Sequence, residues 1–208
     1  MRAARKVARA GGGLREQNKR DKLARIIAAA RKLFGRRGIE ATTLREVAAE
    51  AKVGAGTLFL YAHTKEDLLV LVFLAELRPV IDAGFRDLPE GDLCSRLLHS
   101  FAPIVEHHAR NMRLSRPFLR DVQWVSEAHA PTITDFVTSW NRRVTELVDA
   151  AKRRGEIRPD VDSTLLASCS RQLFLALLRN WVSGRASRAE LNRSLPASLR
   201  LLLAGLGP

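Results

Sequence analysis

Apolar residues recur at three- and four-residue intervals along almost the whole chain, and no segment alternates apolar and polar residues as a half-buried strand must. That one periodicity constrains the fold more than any other feature. Each amphipathic helix has to bury its stripe against another helix, so an all-α architecture is expected. The longest unbroken apolar run, Leu68 to Ala75, is too short to cross a bilayer. The N-terminus is basic but lacks the apolar block of a signal peptide, so a cytoplasmic location is expected, with no membrane partner.

Breakers divide the helical pattern. Residues 1–19, "MRAARKVARAGGGLREQNK", scatter Arg and Lys around a Gly triplet and read as a flexible basic arm. A first helix is expected from about Arg20 to Arg37, with Leu23, Ile26, Ile27, Ala30, Leu33 and Phe34 on one face and Gly38 ending it. A second opens on a capping box, Thr43 with Glu46 three residues on, and carries Leu44, Val47, Ala48 and Ala51. A third, short, is expected over about 55–62. Thr64 to Asp67 repeats the box and opens a fourth. Beyond Pro79 come segments at about 92–109, 111–127, 131–154, 163–183 and 187–206, with Gly184 closing a helix and Pro196 expected to kink the last one or delay its start.

The charge is strongly basic, +13 with a pI near 11, and it is uneven. Residues 1–67 carry 16 Lys/Arg against 7 Asp/Glu; residues 68–208 carry 19 against 15. That asymmetry points to a polyanion at the N-terminal end. Chemistry of other kinds finds little support. Cys94 and Cys169 form no CxxC or Cys/His cluster, and His107-His108 point about 100° apart on a helix, which suits a metal poorly. There is no GxSxG, HExxH or P-loop lysine, so no catalytic residue, metal or cofactor is expected.

The informative stretch is "KVGAGTLFLYAHTKEDLL", residues 52–69. Its glycines resemble a phosphate loop, but a helix precedes them and Thr-Leu-Phe follows, where such a loop needs a strand before and a lysine after. A helix, a tight turn and a second helix fit better. Ala48 lets a crossing helix approach, Val53 plugs the turn, Leu58 anchors the second helix, and Gly54 takes the N-cap region. With Leu58 inward, Ala55, Thr57, Leu60 and Tyr61 fall outward. A helix-turn-helix that lays its second helix in the DNA major groove has this form; a generic helical corner shares it.

The run "TTLREVAAEAKVGAGTLFLYAHTKEDLL", with the helix ahead of it, resembles the DNA-binding domain of TetR-family transcriptional regulators. The family pattern is roughly T-(x3)-IA-(x3)-GVS-x-GTLYxYF-x-SKExL. Thr43, Val47-Ala48, Val53, Gly56-Thr57-Leu58, Tyr61, Lys65-Glu66 and Leu68 match it with the right spacing over about fifty residues. Lys52, Gly54, Phe59 and Ala62 stand where the family usually has Gly, Ser, Tyr and Phe.

The resemblance implies a flexible arm at 1–19, a helix-turn-helix domain at 20–69 and a larger helical ligand-binding and dimerisation domain at 70–208. It places Thr43, Arg45, Ala55, Thr57, Leu60, Tyr61 and Lys65 at double-stranded DNA. Arg45 would reach guanine, Thr57 a phosphate or a thymine methyl, Leu60 an apolar base edge, and Tyr61 and Lys65 phosphates. The arm's Arg2, Arg5, Lys6, Arg9, Arg15, Lys19 and Arg20 could neutralise phosphates or enter the minor groove. In the regulatory domain, Phe101, Val105, His108, Met112, Phe118, Trp124, Trp140 and Phe174 are the candidates for an apolar effector pocket, with Phe136, Arg120 and Gln123 beside them; ordinary core suits the same apolar side chains.

Leu165, Leu166, Cys169, Leu173, Leu177 and Trp181, then Leu191, Leu195, Leu199, Leu202, Leu203 and Leu206, would make a homodimer through the last two helices, matched to a palindromic operator. The implied function is a transcriptional regulator, in the first instance a repressor released by a small apolar or aromatic effector. The alternatives are a DNA-binding regulator without a small effector and an all-α enzyme lacking a recognisable motif.

Overall fold

The computed structural model describes residues 2–122 and 129–207, with side chains described from Arg15 onward. Among the described residues it is built of helices and turns without a strand: α1 (Arg2–Arg37), α2 (Leu44–Glu50), α3 (Ala55–Phe59), α4 (Lys65–Gly84), α5 (Leu93–Arg110), α6 (Met112–Asp121), α7 (Ala130–Arg153), α8 (Ser163–Val182) and α9 (Arg188–Leu203). They form two compact units, Met1–Phe73 and Leu74–Pro208, and α4 contributes residues to both.

In the first unit, α1 packs on α2 and α2 on α3. The spacing of Ile26, Ala30, Leu33 and Phe34 sets them on one face of α1, and all four are buried together with Val47, Ala48, Leu58, Leu68 and Leu69. Each fully buried Ile, Leu or Phe adds about 1.5–3 kcal/mol of transfer free energy. Gly38 ends the packed part of α1 at φ 85°, and its N–H returns to the Phe34 carbonyl at 2.9 Å. At its other end α1 begins at Arg2, not near Arg20 as the sequence leads one to expect. Gly11, Gly12 and Gly13 each cost about 1 kcal/mol against Ala, but the Ala, Arg, Lys, Gln and Glu around them are good helix formers. Residues 15–22 are exposed, so propensity rather than burial carries the helix there.

In the second unit, α8 packs between α7 and α9, α5 against α7 and α9, and α6 against α8. The core gathers Leu97, Phe101 and Ile104 from α5, Trp140, Val144 and Val148 from α7, Phe174 and Leu178 from α8, and Leu195 and Leu199 from α9. Local signals fix the starts: Asp92 caps α5, Asp162 caps α8, and Ser187 with Glu190 forms a capping box at α9. Prolines interrupt less than expected. α4 runs through Pro79 to Gly84, and α9 is continuous from Arg188 through Pro196. A proline removes one N–H, and in α9 the buried Leu191, Leu195 and Leu199 on both sides of it hold the helix together. The continuation to 127 expected after α6 falls outside the described residues. No described helix is long and apolar enough to cross a membrane.

Candidate nucleic-acid interface

The α2–α3 segment is assembled from caps. The Thr43 hydroxyl accepts the Glu46 N–H at 3.2 Å while the Glu46 carboxylate accepts the Thr43 N–H at 2.8 Å, which lowers the Glu46 pKa. Thr43 is therefore occupied as a cap. At the far end Val53 N–H donates to the Ala48 carbonyl at 3.0 Å and Lys52 N–H to that of Ala49 at 3.1 Å, the two bonds of a Schellman motif. Its left-handed position belongs to Lys52, at φ 53°. Gly54 is the N-cap of α3 and supplies no side-chain bond.

α3 is shorter than the expected 55–62: regular helix ends at Phe59, with Leu60 as its C-cap. The turn continues its hydrogen bonding, Tyr61 N–H to Leu58 at 2.8 Å and Ala62 N–H to Leu58 at 3.1 Å. Leu58 is buried; Ala55, Gly56, Phe59 and Leu60 are exposed, and Thr57 is half-buried. Arg45 is exposed on α2 and forms no ion pair among the described residues.

Two of the expected phosphate-binding groups also brace the unit. The half-buried Tyr61 hydroxyl donates to the Lys19 carbonyl of α1 at 3.2 Å, and Lys65 Nζ donates to the Glu40 carbonyl at 3.1 Å. α4 opens on a reciprocal cap, Asp67 N–H to the Thr64 hydroxyl at 3.0 Å and Thr64 N–H to the Asp67 carboxylate at 3.1 Å. Arg37 pairs with Glu46 and Lys32 with Glu50, both exposed. Arg45 and Lys52, both exposed and outside these pairs, are the cations near α3 best placed to meet an anion.

In the second unit the predicted aromatic residues lie mostly against one another. Phe101 stacks on Phe174 at 4.4 Å between centroids, and Trp140 meets their edges at 6.2 and 6.1 Å. Phe101, Val105, Phe118 and Phe174 are buried, Met112 is half-buried, and Trp124 and Gln123 lie outside the described residues. His108 is buried with its Nδ1 2.9 Å from the Ser115 hydroxyl, and desolvation, helped by the neighbouring His107, lowers its pKa to about 3. Arg120 is exposed beside Asp121. A cleft of about 80 Å³ is lined by Arg78, Ile81, Asp82, Phe136, Ser139, Trp140 and Arg143. Of the eight predicted ligand residues it includes Trp140, whose buried Nε1 has no hydrogen-bond partner among the described residues. Arg78, Asp82 and Arg143 escaped the sequence reading because attention to apolar side chains passes over cations. The available signal was their helical spacing, Arg78 to Asp82 and Trp140 to Arg143.

Residues 26–72 match the family model for bacterial regulatory proteins of the tetR family. Residues 26–72 form a TetR-family domain. The chain is 30% identical to the HTH-type transcriptional regulator HbdR of Aromatoleum sp. (strain CIB) over 142 residues, covering 64% of this chain and 59% of that relative. It is 27% identical to the HTH-type transcriptional repressor KstR of Mycobacterium tuberculosis (strain H37Rv) over 193 residues, covering 91% and 84%. Among solved structures, it is similar to Thermus thermophilus FadR, a TetR-family repressor in complex with lauroyl-CoA, with a TM-score of 0.72, 26% identity and coverage of 88% of this chain and 94% of that one.

Within the matched segment, the departures from the family pattern acquire locations. Lys52 is exposed just ahead of α3 and Phe59 on its last turn, Gly54 is its N-cap, and Ala62 is fully buried behind it.

Proposed function

We propose that the protein is a transcriptional repressor that grips a palindromic operator as a two-fold dimer and releases it when a small, largely apolar effector binds the second unit. The exposed α3 face, set in the basic end of the chain with Arg45 and Lys52, carries the DNA half of this reading. In this reading Arg45 of α2 reads a base, Thr57 and Leu60 contact the groove beside Ala55, and Tyr61, Lys65 and the N-terminus of α2 at Thr43 sit by phosphates. A DNA partner places the protein in the cytoplasm.

The dimer is supported by what α8 and α9 leave uncovered. Leu166, Trp181, Leu191, Leu195 and Leu199 are used in the chain's own core. Leu165 and Leu201 remain 62% and 77% exposed, with Cys169, Leu173, Leu177, Leu202, Leu203 and Leu206 half-buried near them. A second copy of this surface would bury both rows. A mass in solution equal to one chain would exclude it.

The effector half is supported by the lauroyl-CoA held by Thermus thermophilus FadR. Phe101, Val105, His108, Met112, Phe118, Trp140 and Phe174 would surround the apolar part, and α4, which has residues in both units, would carry the change to α3. The decisive experiment isolates bound fragments from genomic DNA and titrates the complex with lauroyl-CoA. Release at micromolar concentration is expected. A second reading, control without a small molecule, is favoured by the closed aromatic cluster and by a cleft of about 80 Å³, when ligand sites typically span roughly 300–1,000 Å³. Retention of DNA at every lauroyl-CoA and fatty-acid concentration would favour that second reading.

A further inference from the structure

The recognition helix lacks the groups that ordinarily read bases. Bidentate recognition in the major groove requires a guanidinium, ammonium, amide or carboxylate. Ala55, Gly56, Thr57, Leu58 and Phe59, with Leu60 as C-cap, offer none. Ala55 and Phe59 are four residues apart, as are Gly56 and Leu60, so these four share one side of the turn. All four are exposed, Leu60 by 84% and Phe59 by 42%. The outer face of α3 is therefore an apolar ridge, with the Thr57 hydroxyl as its one polar side-chain group.

Gly56 belongs to the same ridge for a reason found outside the protein. A Cβ placed there would meet nothing within 4 Å, and its φ is not in the left-handed region. Neither packing nor backbone conformation requires a glycine at this position. Its missing side chain leaves the backbone of α3 open to close approach by a partner.

The occupant follows from charge and from the chemistry of the groove. Arg45 and Lys52 are exposed in the same α2–α3 unit and the first 67 residues are strongly basic, which suits a polyanion and not an apolar peptide. In the major groove of DNA the one apolar group on a base edge is the C5 methyl of thymine. We propose that this regulator reads its operator chiefly through thymine methyl groups, received by Leu60 and Phe59, with Gly56 allowing the helix to seat deeply and Arg45 left to make the polar base contact. The inference rests on the operator-binding reading above.

The test replaces thymines of the recovered operator, one position of a half-site at a time, by deoxyuridine. Every hydrogen-bonding group is kept and only the methyl is removed. With the full chain, binding should weaken about three- to tenfold at one or two positions per half-site, the effect of one buried methyl. Leu60→Ala, at a surface position that leaves the core intact, should lose the thymine–uracil difference at one of those positions while keeping its salt dependence, and Leu60→Ala combined with Phe59→Ala should lose it at all of them. Equal binding of the wild type to both duplexes at every position would overturn methyl reading and leave operator binding standing. Failure to enrich any DNA fragment would overturn both.

Discussion

Lys52 holds a backbone conformation that suits glycine. At φ 53° its Cβ crowds the neighbouring carbonyl, at a cost of about 1 kcal/mol, while the Schellman bonds to Ala48 and Ala49 keep it there. Lys52→Gly should therefore raise the stability of the chain by up to about 1 kcal/mol, read as a higher denaturant midpoint at unchanged slope. The same substitution removes a cation beside α3, so affinity for DNA should fall. A variant no more stable than wild type would show that the strain is relieved elsewhere.

His108 gives a second residue-scale expectation. Burial holds its pKa at about 3, against 6.5 for an unhindered imidazole, so the unfolded chain binds this proton first as pH falls. Stability that is complete above pH 6.5 is lost as the pH drops from there toward 3, by at most about 1.4 kcal/mol per unit from this group. His108→Gln should flatten that slope in unfolding titrations. Parallel slopes for the two proteins would mean that His108 does not govern the acid sensitivity.

At the scale of elements, helix crossings set stricter limits than helix propensities. A Cβ at Gly84 would lie 2.4 Å from the Ser100 carbonyl oxygen, an atom of the α5 backbone that cannot swing away. Gly84→Ala should cost about 1–3 kcal/mol, because the end of α4 and α5 must part to admit one methyl group. Unchanged thermal unfolding in that variant would refute the tight crossing. Such close approaches explain which parts were legible in the sequence. Capping boxes at Thr43 and Thr64 are local signals, and they locate the starts of α2 and α4 to within a residue or two.

The start of α1 and the passage through Pro79 and Pro196 depend on a balance between propensity and packing, which a breaker rule does not weigh. The helix-turn-helix was legible because its chemistry sits in one continuous stretch of chain. The clustering of Phe101, Trp140 and Phe174 was not: aromatic residues that fill a core and those that line a cavity have the same periodicity, and only the three-dimensional packing of α5, α7 and α8 tells them apart.

For the whole molecule the governing quantity is the uneven charge. Residues 1–19 carry six Lys/Arg against the single acid Glu16, and Arg15, Glu16 and Lys19 are exposed. A polyanion near this end releases counterions as it binds, so each phosphate neutralised there steepens the dependence of affinity on salt by about 0.9 in the log–log slope. Deleting 1–19 tests this bluntly, since it also removes the Lys19 carbonyl that receives the Tyr61 hydroxyl. Replacing Arg2, Arg5, Lys6 and Arg9 together by Gln keeps that bond and the helix-forming character of the segment. We expect weaker operator binding at low salt, convergence with wild type near about 0.5 M salt, and a slope reduced by about 0.9 for each phosphate no longer neutralised. Reduced affinity with an unchanged slope would mean that the segment acts by bracing α1 rather than by touching DNA. An unchanged affinity and slope would confine DNA binding to α2, α3 and the start of α4.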